Sequence, residues 1–119
     1  MTNKNSPESL SLMLGLAAKA GKLVFGTFLV CKALAETGKG KPCAVFEASD
    51  TSENTGKRLS DKCLFYGVRH EVLPIDMKEL SRATGKRALI SAVGVCDENL
   101  AKAISEKLKA QHSPPRATP

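Results

Sequence analysis

The chain predicts an α/β fold: a three-layer α/β/α sandwich on a small mixed sheet of about four strands. Three observations carry this. Short apolar, β-favouring runs alternate with helix-length segments, most of those segments open on a capping residue, and most close on glycine or proline. At 119 residues, 42% of them hydrophobic, the chain has material for one core and not for two.

Ser6, Pro7 and Glu8 read as a helix start: serine caps, proline takes the first helical position, and glutamate lies in the positive first turn. Leu10, Met13, Leu14, Ala17 and Ala18 recur at helical spacing and Gly21 ends the run, so a helix is predicted over Pro7–Ala20. Leu23–Phe25 is a short strand. Gly26 and Thr27 read as turn and N-cap of a second helix through Phe28, Val30, Ala33 and Leu34, stopped by Gly38, Gly40 and Pro42. Cys43–Ala48 is a buried strand of the α/β type. Asp50 with Glu53 forms a capping box for a third helix reaching Tyr66, its inner side Leu59, Cys63 and Phe65 or Tyr66, closed by Gly67. Glu71–Leu73 is a brief strand, and Asp76 with Glu79 caps a short helix ending near Thr84 and Gly85. Ala88–Val95 is the strongest strand signal, and Asp97 caps a last helix with a stripe of Leu100, Ala101, Ile104 and Leu108. Residues 1–110 are expected to form one domain and 111–119 a disordered tail.

Lys and Arg total 18 against 12 Asp and Glu, a net charge of +6 that favours polyanionic partners. The charge is uneven: residues 1–46 balance at +4, 47–81 at −2 and 82–119 at +4. No apolar run is long enough to span a bilayer and Met1–Ser9 holds no apolar signal core, so a soluble cytoplasmic protein without membrane contact is expected. Cys31, Cys43, Cys63 and Cys96 are scattered, with only His70 and His112 to help them, so neither a zinc site nor any other metal is expected. They read as small buried hydrophobes of a reducing compartment. Neither glycine-rich phosphate loop, GxxxxGK[ST] or GxGxxG, occurs, and no cofactor is expected. Nothing in the spacing joins His70 or a cysteine to a carboxylate, so catalysis is not expected either.

Two blocks are the most specific: Gly15–Lys32, GLAAKAGKLVFGTFLVCK, and Ser49–Thr55, SDTSENT. With the later MKELSRATGKRALISAV, their order resembles the small kink-turn RNA-binding ribosomal protein family, in its bacterial YlxQ-type branch, over about Leu10–Leu108. The resemblance implies an α/β/α sandwich that binds structured RNA, ribosomal RNA among the candidates, through the start of the second helix and two neighbouring loops, as a monomer and without catalysis.

The family's kink-turn readers follow G-x-N-E-x-x-K at that helix start. Gly26 and Lys32 match, whereas Phe28 and Leu29 stand in place of Asn and Glu and cannot make their hydrogen bonds to base edges. Binding to a bent or bulged RNA through phosphates remains open to such a surface. Gly26 and Thr27 would hold a phosphate at the helix N-terminus, with Lys22 and Lys32 adding charge. Phe28 fits either a stacked base or an ordinary core position, and Leu29 reads as core. Lys86 and Arg87 fall in the loop of the family's second contact, and Glu47, Ser49 and Asp50 stand where the family has a polar strand end near the RNA, although Asp50 is more simply a cap. The resemblance further implies that Lys19, Lys22, Lys32, Lys86 and Arg87 converge into one patch, while Lys57, Arg58 and Lys62, mixed with Glu53 and Asp61, read as a solvated face. The same basic face, used by a protein-interaction module for ribosome-associated factors, is the alternative from another function class.

Overall fold

The structure is a computed structural model that describes residues 7–36, 38 and 40–112. Its elements are α1 (Pro7–Lys19), β1 (Leu23–Phe25), α2 (Thr27–Leu34), β2 (Ala44–Glu47), α3 (Glu53–Tyr66), β3 (Arg69–Val72), α4 (Met77–Ala83), β4 (Ala92–Val95) and α5 (Glu98–His112). The strand order is β1-β4-β2-β3. β4 runs antiparallel to both β1 and β2, and β2 runs parallel to β3, so the sheet is mixed.

The two central strands are apolar because helices cover both faces. Side chains alternate across the sheet. Ala44, Phe46, Val93 and Val95 pack with Leu10, Leu14, Leu80, Ile104 and Leu108 of α1, α4 and α5. Val45 and Ala92 face Val30, Leu34, Leu59 and Cys63 of α2 and α3. Each large side chain buried this way contributes on the order of 1.5–3 kcal/mol against the chain entropy lost on folding. The three layers expected from the sequence are therefore present.

The differences have local causes. Glu53–Tyr66 is capped by Ser52, which accepts from the Thr55 amide, while Asp50 Oδ1 accepts from the Met77 amide at 2.8 Å and so caps α4 alongside Asp76. Thr27 is the first residue of α2 rather than its cap; the cap is Gly26, which has no side chain to offer. The run Ala88–Val95 contributes only its last four residues to the sheet, because β1 and β2 extend no further than Phe25 and Glu47 beside it. Residues 88–91 form a loop pinned by the Ser81 hydroxyl, which accepts from the Ile90 amide at 2.9 Å. Tyr66, not Phe65, packs inward beside Leu59 and Cys63. Gly67 closes α3 at φ 69°, a left-handed turn that glycine adopts without Cβ strain. α5 continues through Gln111 and His112, and the remainder of the expected tail, 113–119, lies outside the described residues.

One sheet position is fixed by close approach. A Cβ on Gly94, in central β4, would stand 2.9 Å from Pro42 Cγ and 3.6 Å from Val30 Cγ2. Gly94→Ala is therefore expected to lower stability by about 1–3 kcal/mol through overpacking, read as a lower urea midpoint; an unchanged midpoint would contradict this packing.

Candidate nucleic-acid interface

The register brings the ends of β1 and β2 to the start of β4: Phe25 pairs with Val93 and Glu47 with Ala92. There the Gly26 amide donates to the Ala92 carbonyl at 2.8 Å, the Ala48 amide donates to the Ser91 carbonyl at 2.8 Å, and the Thr27 and Ser91 hydroxyls share a hydrogen bond of 2.5 Å. Two residues, Ser91 and Ala92, thus hold the start of α2, the end of β2 and the loop before β4 together. Gly26 makes this junction at φ 87°, ψ 152°, a conformation that L side chains rarely adopt.

Because the cap is a glycine and the first turn holds no acidic residue, the positive end of α2 meets no side-chain acceptor from its own cap. Around it the surface is apolar and basic. Phe28 is 76% exposed, which places it on the surface and not in the core, and Leu29 is half-exposed, contrary to the core position its sequence context predicted. Lys32, one turn beyond Phe28, shares its outer face. Leu89 is also exposed, in the loop that carries Lys86 and Arg87.

Lys19 and Lys86 line one groove of about 480 Å³ with Phe25 and Arg82. Lys86 Nζ stands 4.2 Å over the Phe25 ring, a cation–π contact that orients the loop's first cation. The groove exists because α1 and α4 approach closely: a Cβ on Gly15 would stand 2.9 Å from the Ala83 carbonyl oxygen. Arg82, Leu89 and Ser91 join this surface without having been expected there from the sequence. The signal for Arg82 was its place in the last helical turn before a basic loop; for Leu89 and Ser91 there was none, since both lay inside an expected strand.

Other expected site residues fall elsewhere. The Lys22 carbonyl accepts from the Cys96 amide at 2.8 Å, which puts its backbone at the far end of β1 from Gly26. Glu47 is only 6% exposed. Its carboxylate accepts from the Thr51 hydroxyl and lies 2.7 Å from His70 Nε2. It occupies space left open by Gly56, where a Cβ would stand 2.8 Å from Glu47 Oε2, so it braces the start of α3 from inside. Ser49 and Asp50 are exposed and tie the end of β2 to the start of α4: the Ser49 backbone amide donates to the Ile75 carbonyl just before α4, and Asp50 caps Met77.

The thiols are not uniformly buried as expected. Cys63 is buried, Cys31 and Cys96 are half-buried and Cys43 is exposed. Burial, with a smaller contribution from Cys31, pushes the Cys63 thiol up to about 11. Burial likewise raises Cys43 and Cys96, so thiolate nucleophiles are disfavoured at all three. No three His, Cys, Asp or Glu side chains gather in a metal-binding arrangement among the described residues, and no described helix is long and apolar enough to cross a membrane.

A small α/β sandwich with an open helix start beside a basic loop has the fold of a known class of RNA-binding protein. The Giardia lamblia 15.5kD RNA binding protein shares it at a TM-score of 0.67 and 19% identity, over 92% of this chain and 89% of that one. A solved protein of unknown function from Bacillus halodurans C matches at a TM-score of 0.75 and 33% identity, over 87% of this chain and 99% of that one. Two curated relatives are similar in sequence over most of the chain. RNA-binding protein YlxQ of Enterococcus faecium is 32% identical over 107 residues, 90% of this chain and 98% of the relative. RNA-binding protein YlxQ of Bacillus subtilis (strain 168) is 36% identical over 89 residues, 75% and 84% respectively. No family model matches the chain. The chain belongs to the YlxQ branch of the kink-turn RNA-binding ribosomal protein family, a non-enzymatic family.

Ser91→Ala removes the Thr27 partner without changing the fold. It is expected to cost about 0.5–1.5 kcal/mol and to speed amide exchange at Gly26, whose amide donates to the Ala92 carbonyl, and at Ile90. Exchange that stays at its original rate would show that the backbone bonds alone hold the junction.

Proposed function

We propose that this protein binds structured RNA through the start of α2 and the loop at residues 85–91, without catalysing a reaction on it. The observation that carries the reading is the meeting, at one end of the sheet, of a helix N-terminus without a side-chain cap and a loop bearing Lys86 and Arg87. A phosphate placed there would receive first-turn amides and the positive helix end, and the loop cations would fix its neighbours. Phe28 and Leu89 add exposed apolar surface for a base that has left its stack. The names of the YlxQ relatives support the same ligand class.

Phe28 and Leu29 in place of Asn and Glu remove the hydrogen bonds that read sheared base pairs, so the preferred RNA is bent or bulged and is recognised by shape and phosphates. Such elements are common in ribosomal and other ribonucleoprotein RNAs, and a cytoplasmic, ribosome-associated role follows from that choice of ligand.

The test is a titration against a bulged hairpin, a standard kink-turn and a plain duplex, each at two salt concentrations. Both distorted RNAs should bind more tightly than the duplex, with steep salt dependence; equal affinity for all three, or none, would overturn the reading. Lys86→Ala with Arg87→Ala should lower the log–log salt slope by about two. Phe28→Ala should leave stability within about 0.5 kcal/mol, as for an exposed residue, yet weaken binding to the bulged hairpin at least about fivefold. A stability loss with unchanged affinity would remove Phe28 from the interface.

A further inference from the structure

A second surface lies at the other end of α3. Arg58, Lys62 and Phe65 recur at i, i+4 and i+7 and so form one stripe along the helix. With Asp61 and Tyr66 they line a shallow groove of about 590 Å³. Phe65 is 80% exposed, as large an exposure as any aromatic side chain of the described residues shows. Its ring meets Tyr66 edge-on, centroids 4.8 Å apart at 86°, which steadies the ring and leaves it open to solvent. Lys41 Nζ covers Tyr66 at 5.6 Å from the ring centroid.

The charge decides what fits. Asp61, the one carboxylate lining the groove, is paired with Lys57 at 3.3 Å. Arg58 and Lys62 have no carboxylate partner among the described residues, and Lys41 stands at the rim with them, so the groove presents three cations beside an open aromatic face. Cations that follow a chain of phosphates, with an aromatic platform beside them, match single-stranded nucleic acid; a duplex keeps its bases stacked internally and offers no face to Phe65.

We propose that the C-terminal half of α3 is a second RNA contact, which takes an unpaired segment flanking the structured element: one base stacks on Phe65, and Arg58, Lys62 and Lys41 hold the adjacent phosphates. The placement fits such a flank, because α3 starts beside the end of β2 at the first interface and carries Phe65 about 20 Å away along its axis. The inference rests on the RNA-binding reading for its ligand class only, since none of its residues belongs to the first interface.

The experiment titrates the full chain with a single-stranded oligouridylate of about eight nucleotides, and separately with the bulged hairpin lacking any single-stranded flank. Phe65→Leu keeps apolar bulk and removes the ring; it should weaken oligouridylate binding at least about fivefold and leave the flankless hairpin unaffected. Arg58→Gln with Lys62→Gln should lower the single-strand salt slope by about 1.4. Lys86→Ala with Arg87→Ala should spare the oligouridylate while weakening the hairpin, so failure of the first reading and failure of this one give different patterns. Oligouridylate affinity that falls with the loop variants and not with the α3 variants would overturn the proposal. So would oligouridylate binding that Phe65→Leu leaves intact, or an acidic peptide such as polyglutamate displacing the oligouridylate and losing affinity equally in the α3 variants.

Discussion

The hydrogen bonds at Ser91 and Ala92 are the constraint on which the rest of the interface depends. Strand β4 lies between β1 and β2, so its first residues can tie both neighbouring chains at the end of the sheet where α2 begins. The Gly26 amide and the Thr27 hydroxyl meet it from one side and the Ala48 amide from the other. Without that tie the start of α2 and the basic loop would be two surface segments with independent motions, and a rigid phosphate would have to order both on binding. With it, the head of α2 and the end of the loop that carries Lys86 and Arg87 are joined before any ligand arrives. Small residues make the arrangement possible: Gly26 takes a backbone angle that other residues avoid, and Gly94 admits Pro42 and Val30 onto the same strand.

The charge distribution follows from what the carboxylates are used for. The middle of the sequence is acidic, yet most of its acids are engaged within the fold. Asp50 and Asp76 cap α4, and Glu79 pairs with Arg82. Glu71 accepts from Ser105, Asp61 pairs with Lys57, and Glu47 is enclosed with Thr51 and His70. Exposed pairs of this kind contribute little stability. They hold these carboxylates in place within the fold, while Lys19 and Lys86 share a groove and Arg58 and Lys62 line another, each offering cations to a polyanion.

Much of this was legible in the sequence wherever the cause was local. Asp76 and Asp97 cap the amides three residues ahead, and Gly67 closes α3, because each of these contacts is made within one turn. Asp50 carries the same local signal, but its partner, Met77, is 27 residues away and only the fold brings the two together. The second helix, TFLVCKAL, is nearly all apolar, so its pattern has no polar face to set the phase; the buried side became Val30 and Leu34, and Phe28 and Leu29 faced outward. The apolar run from Ala88 has strand composition, but a strand needs a partner and none extends that far. Glu47 looked like a surface group at a strand end; Gly56 leaves the space that lets it turn inward. The patch of cations expected from the family resemblance is drawn together at Lys19 and Lys86, while Lys22 is carried away by the direction of β1.

The claim that the α2 start and the 85–91 loop form a single preorganised RNA surface is tested most directly by amide chemical shifts of the ¹⁵N-labelled protein during titration with a bulged hairpin. Gly26, Thr27 and Phe28 are expected to shift together with Lys86, Arg87 and Leu89, along one titration curve. Shifts that leave Gly26–Phe28 in place, or that follow separate curves for the helix start and the loop, would contradict it.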